Sequence, residues 1–370
     1  MRATQHDAHR AEPAAPEQST SDTAHVTSAG RVEGNEKSGH PDFRSVPQAG
    51  QALRVIEGTK TLRAAILAIL PDAELPEDLT PGRWLRFSTD GRRDKPGWCK
   101  VFEDRRGAVF GCLRHGISET WTAANSAAMS REQRIGLARQ VMAATAEREA
   151  QQRRQWAEHA QRNTETLAET VPLVPGDPVT LYLKRRGFGG VWPLPAALRL
   201  HRALPYWHEG EKLGTFPTMV APVTSTDGRL LALHRTYLTR DGRKADVPTV
   251  RKVSGASGPL AGACIALHKP VSGCMGIAEG VETALGAWCA STVPTVAAYC
   301  AGNLAAWHWP PGLQRLVIFA DADKAGREAA DTLRARALAA GLRFEVLTPS
   351  TAGADWCDVW NIRNTQGAEA

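Results

Sequence analysis

The chain has 370 residues, 42% apolar, 23% charged and 6% aromatic, with a formal charge of +6 at pH 7. That apolar share supports at least one core and excludes wholesale disorder, and the length accommodates two or three domains. The best apolar run, Ala64–Leu70, falls far short of the ~18–20 residues that cross a bilayer, and the polar first thirty residues lack a secretory h-region. A cytoplasmic protein without a membrane partner is expected.

Residues 1–45 carry almost no large apolar side chains and are expected to be a disordered tail. Gly50–Leu70 has apolar residues at helical spacing and reads as one or two helices. Asp-Gly and Pro-Gly turns then separate short alternating runs, which predicts a small antiparallel sheet with strands Trp84–Phe87, Trp98–Phe102 and Ala108–Cys112. From Ser130 to Glu169 the only breaking residue is Gly136, and "SREQ" offers a capped start, so a long, solvated, linker-like helix is expected.

A Pro-rich break at Val171–Pro178 opens the second half. "DPVTLYLKRRGF" reads as a short helix carrying Lys184, Arg185 and Arg186, and the segment from Phe216 to Ala245 reads as a β-meander with two Asp-Gly turns. Beyond Cys264 strands and helices alternate: Met275–Ala278, a helix Val281–Cys289, Thr295–Tyr299, a loop, Leu316–Ala320, a helix Gly326–Ala340 and Phe344–Thr348. Short apolar strands alternating with helices predict a parallel sheet covered on both faces, hence the α/β class.

Ligands of such sheets bind beyond the carboxyl ends of the strands. Three acidic clusters fall there: Glu279 in "GIAEG", Asp321 and Asp323 in "LVIFADAD", and Asp355 with Asp358 in "GADWCDVW". A single acid after a strand is commonly a helix cap or first-turn acid, which suits Glu282 and Glu328. "ADAD" is different, because one cap needs one side chain and two close carboxylates repel. A divalent cation relieves that repulsion, and an all-oxygen donor set favours Mg²⁺, with Mn²⁺ as a substitute.

"GIAEGVETAL", then "VIFADADKAGREAA", then a Gly-Ala-Asp segment resemble the Toprim domain of bacterial-type primases, topoisomerases and several nucleases, with "DxDxAG" typical of the primase branch. Upstream, "LYLKRRGF", "LALHRTYLTRDGRKA" and "CAGNLA" are similar to plasmid- and phage-borne Toprim primases. The resemblance implies that Glu279 acts as general acid/base or metal ligand, that Asp321 and Asp323 hold Mg²⁺, and that Asp355 is a further ligand. Primases show two acids one residue apart at that last position, whereas Asp358 here stands three from Asp355. It also implies a small N-terminal ribbon-like domain at 46–128, a helical linker at 129–172, the first part of a primase core at 173–262 and the Toprim domain at 263–370.

Template and nucleotide binding then call for cations. Lys184, Arg185, Arg186, Arg235, Lys244, Arg251 and Lys252 are candidates, although any one of them taken singly reads better as a solvated surface charge. Lys324 at a helix start can present a cation to phosphate, and Asn303 can donate to substrate or cap a turn.

"VFGCLRHG" is similar to the end of a primase zinc ribbon. Cys112 and His115 have pair spacing and Cys99 offers a third ligand, but no fourth is evident, so a metal-free, degenerate ribbon is expected. The seven scattered cysteines fit a reducing compartment.

The expected activity is Mg²⁺-dependent primer synthesis from NTPs on single-stranded DNA in phage or plasmid replication. No GxxxxGK(S/T) loop is present, so a separate replicative helicase is the expected partner. The alternatives are a Toprim nuclease, in which the same acids activate water, and a non-catalytic single-strand-binding or helicase-loading factor. Strand passage is disfavoured, since Tyr182, Tyr206, Tyr237 and Tyr299 have no nucleophile domain behind them.

Overall fold

The computed structural model describes residues 55–56, 61–91, 95–113, 116–123 and 129–369. The expected tail and His115 lie outside these residues. The first sheet comprises β1 (Val55–Ile56), β2 (Trp84–Phe87), β3 (Gly97–Val101), β4 (Gly107–Cys112) and β5 (Ile117–Thr122), ordered β1-β5-β4-β3-β2. Helix α1 (Leu62–Ile69), capped by the Thr61 hydroxyl accepting from the Ala64 amide at 3.2 Å, buries Ala65 and Ile66 against it. The sequence reading found β2–β4 and missed β5, whose "ISETWT" carries no strong apolar alternation. Within the stretch 50–70 the described residues form β1 at Val55–Ile56 and α1 at Leu62–Ile69. Cys99 and Cys112 are both buried in the core under α1.

Helix α2 (Arg131–Ala168) begins with the expected capping box, in which Ser130 Oγ accepts from the Gln133 amide and Gln133 Oε1 accepts from the Ser130 amide. It is solvated along most of its length but docked near both ends. Val141 and Ala144 pack on Trp98, Phe102 and Val109, while Asn163 Nδ2 donates to the Gly255 carbonyl at 2.9 Å.

The second sheet contains β6 (Val171–Pro172), β7 (Arg199–His208), β8 (Glu211–Thr224), β9 (Leu230–Tyr237) and β10 (Arg251–Val253), antiparallel in the order β10-β9-β8-β7-β6. Before β7, α3 (Pro178–Leu183) is capped by Asp177 and runs into a π-helical turn, Lys184–Phe188. The meander was expected; β7 was not, because Pro205 and the charged positions obscure its pattern.

The third sheet is parallel, order β12-β11-β13-β14, from β11 (Cys274–Ala278), β12 (Thr295–Ala297), β13 (Arg315–Phe319) and β14 (Arg343–Leu347). Helices α4 (Val281–Ser291) and α7 (Trp356–Glu369) cover the face bearing Ala278, Val317 and Phe319, and α5 (Ala301–Ala306) and α6 (Lys324–Ala339) cover the face bearing Ile277, Leu316 and Ile318. Burial on both faces is why these strands read as continuous apolar runs. Strand β12 stops before the expected Tyr299 because Tyr299 takes φ 59°. Bridges Thr224–Cys264 and Ile265–Ala297 join the meander to the parallel sheet.

A Cβ on Gly286 of α4 would stand 2.3 Å from the Trp356 carbonyl oxygen of α7. Gly286→Ala is therefore expected to cost about 1–3 kcal/mol by forcing the helices apart, measured as a lowered urea midpoint. An unchanged midpoint would show that α7 yields freely.

Candidate active site

Strands β11 and β13 are neighbours in register, Ala278 opposite Phe319. The residues that follow them, Glu279 and Asp321, consequently emerge side by side at the carboxyl edge of the sheet. A cavity of about 260 Å³ opens there, its lining including the carboxylates of Glu279, Glu282, Asp321 and Asp355 and the side chains of Arg186, His234, Lys244 and Arg251. Its size exceeds the ~30 Å³ share of a water molecule several-fold, and its walls are predominantly charged.

The two aspartates of "ADAD" divide their labour. Asp323 caps α6, its Oδ1 accepting from the Gly326 amide at 2.7 Å, and is exposed. Asp321 is not a cap. Its Oδ1 is buried without a hydrogen-bond partner, and burial, with the charges of Glu279, Asp355, Asp323 and Asp358, pushes its carboxyl up to about 7. Burial and the charge of Asp323 also raise Glu279. Asp355 Oδ1 accepts from the Cys357 and Asp358 amides, and Asp358 Oδ2 accepts from the Asp355 amide at 3.1 Å. That reciprocal pairing at the start of α7 explains a spacing of three, the capping-box interval.

An orphaned, buried carboxylate oxygen amid mutually repelling carboxylates fits a hard divalent cation, which takes all-oxygen ligands. Among the described residues no three Asp, Glu, His or Cys side chains stand grouped to hold an ion. Glu279, Asp321 and Asp355 line the cavity, and Asp323, outside the lining, acts on Glu279 and Asp321 through its charge.

Of the predicted cations, the structure brings Arg186 and Lys244 into the cavity with Arg251. Arg186 sits on the π-helical turn, where Gly187 at φ 94° supplies a conformation that L side chains resist. Helix α7 fixes the turn: Trp360 Nε1 donates to the Gly187 carbonyl at 2.9 Å and Cys357 Sγ to the Arg186 carbonyl at 3.4 Å. Burial, together with the charges of Arg251 and Arg186, lowers Lys244.

The others lie elsewhere. Arg185 pairs with Asp241 at 3.7 Å, Lys252 donates to the Trp207 carbonyl, and Lys324 is 88% exposed beside Glu328. Lys184 is exposed, and Arg235, on β9, is half-buried outside the cavity lining. Asn303 is buried, its amide spent on the Gly262 N–H and the Ala263 carbonyl, so it fastens a loop.

Glu282, read from sequence as a first-turn acid, is instead a buried anion. Its Oε1 accepts from Tyr182 Oη at 2.5 Å and from Arg251 Nη2 at 2.8 Å. Burial pushes its carboxyl up, but the Arg251 charge and the two hydrogen bonds outweigh this and hold it below its ordinary value. The trio ties α3, α4 and β10 together and fixes Arg251 at the cavity. A charge inside the otherwise apolar "VETALGAW" was the available signal.

Residues 274–365 match the model of the Toprim domain, and residues 157–265 match a Domain of unknown function (DUF7146). No curated protein matches the chain. Similar solved structures include a DNA primase domain from Pseudomonas aeruginosa, at 16% identity and TM-score 0.30 over 44% of this chain and 56% of that one. This chain thus spans little more than half of that protein's length. The primase fragment of the bacteriophage T7 primase-helicase matches at 17% identity and TM-score 0.31 over 50% and 68%. The zinc-binding and RNA polymerase domains of the Aquifex aeolicus primase match at 11% identity and TM-score 0.31 over 83% and 81%. Sequence motifs, parallel sheet and acidic edge agree, and residues 274–365 are a Toprim domain.

Proposed function

We propose that this chain is a primase-like, Mg²⁺-dependent nucleotidyltransferase that makes short primers on single-stranded DNA. The observation that carries the reading is the cavity at the strand ends of the Toprim sheet, whose lining combines carboxylates with cationic side chains. Arg186, Lys244 and Arg251 hold the phosphate oxygens of an incoming NTP, the anions to which guanidinium and ammonium groups are matched. Glu279, its carboxyl raised by burial, takes the proton of the primer 3′-hydroxyl as that oxygen attacks the α-phosphorus and pyrophosphate leaves. Asp321, Asp355 and Asp323 are the residues to hold magnesium, whose bound charge would offset that of the triphosphate.

Synthesis of labelled oligonucleotides on heterogeneous single-stranded DNA, with Mg²⁺ or with EDTA, tests the reading. Mg²⁺-dependent elongation supports it. Shortening of labelled DNA would identify a Toprim nuclease instead, and salt-sensitive binding without either reaction would identify a non-catalytic loading factor. A cytoplasmic setting in phage or plasmid replication, with a separate replicative helicase, belongs to the same proposal. No described helix is long and apolar enough to cross a membrane.

A further inference from the structure

Lys184, Arg185 and Arg186 follow one another on the π-helical turn, and of the three Arg186 lines the cavity while Lys184 and Arg185 are exposed outside it. Successive residues of a helix project about 100° apart, so the rotation of the turn about its axis decides which cation reaches the cavity. The turn is anchored on either side: Tyr182 Oη donates to Glu282, and Phe188 is buried in the core. Between these anchors Gly187 leaves helical geometry at φ 94°, so a regular backbone ladder does not set the rotation.

Helix α7 supplies the missing constraint. Trp360 Nε1 donates to the Gly187 carbonyl at 2.9 Å, the Cys357 thiol donates to the Arg186 carbonyl at 3.4 Å, and a Cβ at Gly187 would collide with Asn361 Oδ1. The last carbonyls of a helix have no partner within it, so these donors satisfy them and fix their direction together. The helix is itself held in place: the Trp356 ring meets Phe319 edge-on at 5.0 Å, and Arg363 Nη1 donates to the Ala290 carbonyl at 2.7 Å. Cys357, Trp360 and Asn361 all lie outside the cavity lining. We propose that Trp360, seconded by Cys357, is a positioning residue for phosphate binding, holding the turn at the rotation that sends Arg186, and neither Lys184 nor Arg185, into the cavity. This rests on the nucleotidyl-transfer reading above, in which Arg186 grips phosphate oxygens through its planar fork, a contact that depends on direction.

The test is a double-mutant cycle read by equilibrium binding of ATP and of inorganic triphosphate, each with Mg²⁺, to the full chain. Arg186→Gln is expected to weaken both ligands by about tenfold or more, and Trp360→Phe, which keeps the ring and deletes the donor, by about threefold to tenfold. In the Arg186→Gln background Trp360→Phe should then add almost nothing, because the group it positions is gone. A purely structural loss would weaken binding equally in both backgrounds, and that result overturns the inference. So does a loss confined to ATP, which would place the effect at the base or sugar, and so does an Arg186→Gln variant that binds as tightly as the wild type. Cys357→Ala, which removes the neighbouring donor, enters the same cycle if Trp360→Phe does not fold. Failure of the wild type to bind either ligand would sink the nucleotidyl-transfer reading and this assignment together, whereas binding with an additive cycle would sink the assignment alone.

Discussion

Asp321→Asn is expected to lower Mg²⁺-dependent nucleotidyl transfer about 10²–10³-fold while raising the melting temperature of the metal-free protein. The loss follows from removing the carboxylate whose Oδ1 is the orphaned acceptor at the strand edge. Metal-assisted charge stabilisation is worth several kcal/mol, and each ~1.4 kcal/mol is tenfold in rate.

The gain in stability follows from the same carboxylate. Its folded value, about 7, lies above the ordinary 3.8, so the folded state binds the proton more tightly than the unfolded state. Asp321 therefore opposes folding at neutral pH, and the penalty fades as pH falls from about 7 toward 3.8. Asparagine carries no charge and escapes it. Thermal melts in EDTA at pH 5 and pH 8 check the point: the variant's advantage should be larger at pH 8. A variant less stable than wild type at both values would mean that the Asp321 carboxylate is held by its surroundings, not strained by them.

Arg251→Met is expected to be the most destabilising exchange at the cavity, at about 3–5 kcal/mol at pH 7, because it strands a buried anion. Glu282 has 5% side-chain exposure and would lose its paired cation while keeping neutral donors such as the Tyr182 hydroxyl. Glu282→Gln should cost less, since the Arg251 side chain is 44% exposed and can turn to water. In the wild type the Glu282 carboxyl is held below 4.5, so its contribution is present above that value and lost as pH falls through the folded one.

In Arg251→Met the sign reverses. Burial without the guanidinium raises the carboxyl, which protonates readily as the solution is acidified. The gap between wild type and variant should thus narrow between pH 7 and pH 4.5 in urea titrations. A gap that stays constant would place the loss in packing of the arginine stem and not in the ion pair.

The acids at the sheet edge were legible because motif and strand pattern coincide: a short continuous apolar run ends, and a carboxylate follows where the fold leaves a crevice. The long α2 and its cap were legible for the local reason that Ser130 and Gln133 need only each other and the backbone between them. Strand β7 and helices α5 and α7 escaped because their stability comes from surfaces supplied elsewhere. Helix α7 is held by α4 and by the carbonyls of Arg186 and Gly187, partners about 170 positions earlier in the chain.

By itself the sequence determined that the C-terminal segment is a parallel α/β sheet with carboxylates at its strand ends, because spacing along one chain sets both period and edge. Only the tertiary structure decided which charges face one another. Arg186, Arg251 and Glu282 come from three distant segments, and Asp321 and Asp323, two residues apart, differ in surroundings because an oxygen of one meets a helix amide and the buried oxygen of the other meets none. Burial and Coulomb energy depend on distance through space, which the order of residues along the chain does not encode directly.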